Sequence, residues 1–211
     1  MLDIATAYNK YGFLGNEFLT WIWYLVETEQ DITALCGSKE QITFEIGNSI
    51  SLENNLGDKS KEKITIKGDQ AGLEEGTTAL KKGAWVTDMN LICRMDEEEY
   101  KFSIKGESFN ITGLKTPSID TSSSEDQIEG MIIEKTFLIM KVIKVIDTLF
   151  LKFIEKRISD NWNTSDLKGI REWIQSWLKI VQKACFMYFQ KTGFQISGVL
   201  KMFYSIFLTE K

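Results

Sequence analysis

The sequence predicts an α+β fold: a small antiparallel β-sheet with a short helix, packed with an N-terminal amphipathic helix and a C-terminal antiparallel helical pair. Three observations carry this expectation. A helical apolar period near the N-terminus gives way to period two between Gln41 and Thr116, and the helical period returns after Ser124. Strands grouped in one stretch and helices in others are the pattern of α+β rather than alternating βαβ architecture. With 211 residues, 43% hydrophobic and 26% charged, the chain can bury a substantial core.

In chain order, Gly15 to Glu27 is the first element. Phe18, Trp21, Ile22 and Leu25 share one helical face, which Trp23 and Tyr24 widen. Ile42, Phe44 and Ile46 alternate with polar residues; Ile50 and Leu52 resume the alternation after a Gly47-Asn48 turn, and Ile64 and Ile66 form a further strand. The polar stretch from Asn54 to Lys63 reads as an exposed connection. Ala71 to Lys82 places acids early, lysines late and Gly83 immediately after, the order that suits a short helix with a glycine stop.

Trp85, Thr87, Met89, Leu91, Cys93 and Met95 then occupy one face of a strand. A turn around Asp96 to Glu98 and the return of Tyr100, Phe102 and Ile104 complete a hairpin, with Phe109 and Ile111 in a third strand. Thr116 to Ser124 is a linker. Ser124 and Gln127 open a helix as a capping box. That helix runs to about Arg157, with Ile128, Met131, Ile132, Leu138, Ile139, Val142, Ile146, Leu149 and Phe153 on its buried side. A second helix opens near Thr164 or Ser165 and buries Ile170, Trp173, Ile174, Trp177, Leu178 and Val181. The expected division is therefore 1–177 as an α+β region (1–30 helix, 41–116 β-region, 124–177 helical pair) and 178–211 as an aromatic, basic tail.

Composition narrows the chemistry. The chain has no histidine, which excludes an imidazole base, a histidine metal ligand and a Ser/His/Asp triad. Cys36, Cys93 and Cys185 lie far apart with no CxxC spacing, so neither a disulfide framework nor a zinc site is expected. No phosphate-binding glycine loop is present, and no cofactor or metal is expected. The order Asp88, Glu99, Lys101 matches the D…E-x-K arrangement of magnesium-dependent nucleases, in which two carboxylates share an ion. A turn pairing Met95 with Tyr100 would put Lys101 opposite Arg94 and leave Asp88 six residues further along, roughly 20 Å away. A solvated acidic hairpin tip is the preferred reading of Glu97, Glu98 and Glu99.

Net charge is −5, divided between a tail of net +4 over residues 178–211 and a body of net −9. Aromatic platforms beside lysines bind single strands, yet Trp21, Trp173 and Trp177 fall on apolar helical stripes and read as core. For phosphate contact the candidates are Lys67, Lys63, Lys61 and Lys59 of the β-region, with Lys81 and Lys82 of the short helix.

Phe13-Leu-Gly-Asn-Glu-Phe-Leu-Thr-Trp-Ile-Trp-Tyr24 resembles the F-L-G-x-E-F-L-T-W-L-W-[YW] segment in the C-terminal half of the bacterial recombination-associated RdgC family, with Phe18, Trp21 and Trp23 as its core. The later order is similar too, through Leu80-Lys-Lys-Gly83, Tyr100-Lys-Phe-Ser-Ile104, Phe109-Asn-Ile-Thr-Gly-Leu-Lys-Thr-Pro117 and Ile146-Asp-Thr-Leu-Phe-Leu-Lys-Phe153. The resemblance spans roughly residues 11 to 178. It implies a non-enzymatic protein that binds duplex or single-stranded DNA without sequence preference, modulates RecA-dependent recombination or replication, and pairs with itself as a homodimer. It also places Lys67 at the DNA, with Lys81 and Lys82 further out. The alternative is a truncated or degenerate relative acting only as a structural or interaction module. No secretory signal and no apolar run of membrane-spanning length are read in the chain, so a cytoplasmic location is expected, and the resemblance implies the bacterial nucleoid.

Overall fold

A computed structural model describes residues 13–55, 61–68, 74–119 and 125–175. The chain divides into two compact units after Ile174, and the elements below belong to the first. Its architecture is α+β. Five antiparallel strands in the order β2-β1-β3-β4-β5 form one sheet: β1 (Ile42–Asn55), β2 (Lys61–Lys67), β3 (Trp85–Met95), β4 (Glu98–Lys105) and β5 (Asn110–Lys115). The described helices are α1 (Phe13–Glu27), α2 (Ile32–Cys36), α3 (Glu74–Lys81) and α4 (Glu125–Ile158), followed by a π-helical turn (Trp162–Asp166) and a helical stretch over 167–175.

Helix α1 lies across the apolar face of the sheet and buries Phe18, Leu19, Trp21, Ile22, Trp23 and Leu25. The periodicity predicts this stripe, and Trp21 and Trp23 are 2% and 0% exposed. Its close seating depends on two glycines. A Cβ on Gly15 would overlap the carbonyl oxygen of Gly106 in the β4–β5 turn, and a Cβ on Gly106 would overlap Asn16. Phe18 then packs edge-on to Phe150 at 5.3 Å and against Phe153 at 5.7 Å, which ties α4 to α1.

The segment after α1 contains a helix that the apolar pattern gives no sign of. Asp31 caps α2 by accepting from the Ala34 amide at 2.9 Å, and Gly37 ends it with φ 59°. Helix α3 stops as expected, at Gly83 with φ 87°.

The strands depart from the expected pattern in four places. No turn separates Ile46 from Ile50; β1 is continuous and bulged, because Gly47 to Ser49 stand opposite Asn90 alone. A side chain at Gly47 would overlap the Asn90 amide, so the bulge needs glycine there. Strand β3 bulges at Thr87, between the pairs Leu52–Val86 and Ser51–Asp88. Val86, not Trp85 or Thr87, therefore joins Met89, Leu91, Cys93 and Met95 in the core. The connection after β1 is shorter than expected, since strand pairing reaches Asn55 and Lys61. Phe109 precedes β5 in a left-handed turn (φ 53°) instead of lying in the strand.

The hairpin register also differs from the expected one. Met95 pairs with Glu98 and Arg94 with Glu99, closing a two-residue turn at Asp96 and Glu97. Asp96 takes φ 51°, and its carboxylate accepts from the Gln41 amide at 2.9 Å, so β1 holds the turn in place.

Helix α4 buries Leu138, Val142, Ile146, Leu149 and Phe153 against α1 and α2. Ile128 and Ile132, expected on the buried side, are exposed, because the first turns of the helix run past the end of the packed layer. Lys141 anchors the middle of α4 to the hairpin, donating to Glu98 at 2.6 Å and pairing with Glu40 at 3.1 Å. The following helix opens earlier than Thr164, through the π-helical turn that buries Trp162, and then buries Ile170 and Trp173. The capping serine Ser124, with Trp177, Leu178, Val181 and the tail, lies outside the described residues. No described helix is long and apolar enough to cross a membrane.

Candidate nucleic-acid interface

Alternation along the strands sends one set of side chains under α1 and α3 and leaves the other set on an open face. On β2, Ile64 and Ile66 face the helices, and Ile66 lies against Gly76 of α3. Lys63, Thr65 and Lys67 therefore take the open side, and Lys61 shares their register position. On β4, Tyr100, Phe102 and Ile104 are buried while Lys101 and Lys105 are exposed. Lys115 of β5 pairs with Lys101 and joins the same face.

The open face has a charge pattern of its own. Across the described residues it carries six basic groups, Lys63, Lys67, Arg94, Lys101, Lys105 and Lys115, against four acids, Glu45, Glu53, Asp88 and Glu99. Its positive excess stands out from a body whose sequence is net −9. At one end the charges neutralise one another: Arg94 pairs with Glu45 and Glu99, and Lys101 with Glu99 at 2.8 Å. The Lys101 hydrogen bond and then the Arg94 one hold the Glu99 carboxyl below its usual range.

Further along the strands, Lys63, Lys67 and Lys105 hold no ion pair among the described residues, and neither does Lys115, which lies beside Lys101. Asp88 lies between Lys63 and Lys105. Burial raises its carboxyl, and the two lysines pull it back. The lysines thus flank an acidic midline, with β2 and β4 three strands apart, about 14 Å at 4.8 Å per strand, and β2 and β5 about 19 Å apart.

The structure divides the sequence candidates. Lys63 and Lys67 share the open face, whereas Lys82 is exposed on the α3 side, beside Glu62 and Glu75. Lys81 is different again. Its ammonium is sequestered without a hydrogen-bond partner among the described residues, and burial lowers its pKa. Neither belongs with the strand lysines. Lys59 and the side chain of Lys61 lie outside the described residues. Lys105 and Lys115 were not singled out from the sequence, although Lys101, Ser103 and Lys105 alternate with the core triad of β4.

Of the tryptophans expected in the core, Trp21 and Trp173 are buried, and Trp177 lies outside the described residues. Trp173 is 6% exposed and packs edge-on to Trp23 at 5.5 Å. The nuclease-like carboxylates are not brought together, since Asp88 pairs with Lys105 and Glu99 with Arg94, six positions away along β3. Among the described residues no group of three or more acids and cysteines is placed to hold a metal ion. A cavity of about 590 Å³ between α1 and the π-helical turn includes Phe13, Trp85 and Trp162 in its wall. The charged pair in that wall is already matched, Glu17 to Arg157 at 2.9 Å, with Arg157 also over the Trp162 ring. No family model, curated protein or solved structure matches this chain.

Proposed function

We propose that this chain is a non-enzymatic DNA-binding protein that contacts backbone phosphates through the open face of its sheet, without sequence preference. One observation carries the reading: Lys63, Lys67, Lys105 and Lys115 converge on one face in two rows, none held in an ion pair among the described residues. Phosphate contact needs only positive groups at suitable spacing. Rows about 14 to 19 Å apart can reach phosphates on both sides of a major groove roughly 12 Å wide. The RdgC-like tryptophan segment supports placing this activity in recombination or replication, through modulation of RecA-dependent strand exchange. Titration of a labelled duplex at low and rising salt tests it, and absence of binding at low salt would end it.

A second reading, a structural or interaction module, is favoured by a separate feature, the exposed apolar outer side of α4.

A further inference from the structure

Helix α4 carries two apolar stripes. The inner one, Leu138, Val142, Ile146, Leu149 and Phe153, is buried. On the opposite side Ile133, Phe137, Met140, Leu151 and Ile158 are 70%, 64%, 56%, 62% and 78% exposed. With Lys144, Asp147 and Ile154 they recur at alternating steps of four and three residues, 133, 137, 140, 144, 147, 151, 154 and 158. That is the 3.5-residue period of a helix that packs along another helix, sustained for about 38 Å at 1.5 Å per residue. Large exposed apolar residues in one continuous line mark an interaction surface.

The order of residues along the line identifies the partner. About a midpoint between Val145 and Ile146 the seam is self-complementary: Ile133 mirrors Ile158, Phe137 mirrors Ile154, Met140 mirrors Leu151, and Lys144 mirrors Asp147. Apolar residues thus oppose apolar ones, and the single cation opposes the single anion. A two-fold axis through the midpoint brings these mirror positions together when two copies lie antiparallel. A parallel pairing in register would instead set Lys144 on Lys144 and Asp147 on Asp147, an unfavourable arrangement of like charges. Lys144 and Asp147 are both exposed, and neither holds an ion pair among the described residues. We propose that α4 is a homodimer seam, with two copies joined antiparallel along Ile133, Phe137, Met140, Leu151, Ile154 and Ile158 and closed at its centre by two reciprocal Lys144–Asp147 pairs.

The proposal is independent of DNA binding and is tested on the full chain by sedimentation equilibrium. The expected mass at micromolar concentration is twice the 24.3 kDa of the chain. The F137E/L151E variant is expected to sediment as a monomer with an unchanged circular dichroism spectrum, because both side chains are solvent-facing in the single copy. K144D is expected to weaken the dimer at least tenfold by setting like charges together, and K144D/D147K to restore it. In a mixture of M140C and L151C chains the disulfide should join the two different variants. A monomer at high micromolar concentration, a dimer that survives F137E/L151E, failure of K144D/D147K to recover, or cross-linking of M140C preferentially to itself would each overturn the seam.

Discussion

Replacing Lys63 with alanine should change how DNA binding responds to salt as well as its strength. Each phosphate neutralised by a lysine releases condensed counterions and contributes about −0.9 to the slope of log K against log salt. Four lysines, Lys63, Lys67, Lys105 and Lys115, share the open face without ion pairs among the described residues. Four contacts give a slope of about −3.6, so affinity for duplex DNA should fall roughly 150-fold between 50 and 200 mM salt. K63A should bring the slope to about −2.7. D88N should tighten binding, because it removes the negative charge between Lys63 and Lys105. K82A should leave both slope and affinity unchanged, since Lys82 lies beside Glu62 and Glu75 on the α3 side. Fluorescence anisotropy on a labelled duplex at four or more salt concentrations provides these slopes. A wild-type slope near zero, or a loss on K82A equal to that on K63A, would refute the assignment of the open face.

Two further outcomes concern stability. G15A forces a methyl group into the Gly106 carbonyl, a backbone atom fixed by the β4–β5 turn. Overpacking of this kind costs about 1–3 kcal/mol and should lower Tm by roughly 2–12 °C in a domain of this size. G130A, where a Cβ meets nothing within 4 Å in the second turn of α4, should gain up to about 1 kcal/mol in urea unfolding, and a loss there would contradict the exposed placement. The Lys81 pKa is lowered by burial, so the unfolded chain binds the proton more tightly than the folded one. Stability therefore rises with pH between the lowered value and the ordinary lysine range. K81M should be more stable than wild type at neutral pH, and the difference should shrink as pH rises through that window; a constant difference would show that the charge is not its source.

Periodicity made the secondary structure largely readable, because each element buries one regular stripe. Phe18, Trp21 and Ile22 on α1, and Tyr100, Phe102 and Ile104 on β4, are buried as their spacing requires. The failures have a common cause in long-range pairing. The bulges at Gly47 to Ser49 and at Thr87 exist because β1 and β3 must stay in register over their full length, and nothing local to either segment announces that. The overhang of α4 was hidden for another reason. Ile128 and Ile132 have the spacing of buried residues, but periodicity gives a face and not the extent of the layer that covers it. The open face was half legible: Lys63 and Lys67 could be found from β2 alone, whereas grouping them with Lys105 and Lys115 required the strand order β2-β1-β3-β4-β5.

The two proposed surfaces belong to different parts of the molecule. The open face belongs to the sheet, α1 covers the sheet's other face, and α4 turns its inner stripe toward α1 and α2 and reaches the hairpin through Lys141. Joining two copies along α4 uses no residue of the open face and leaves both lysine faces free. Such a dimer offers two duplex-binding faces and would hold two duplexes at once. The consequence separates the surfaces experimentally. F137E/L151E should abolish co-capture of a labelled duplex on beads bearing an unlabelled one, while leaving the affinity and salt slope for a single duplex unchanged. K63A should weaken both readouts together. Co-capture that persists in the F137E/L151E variant would mean that bridging does not depend on the α4 seam.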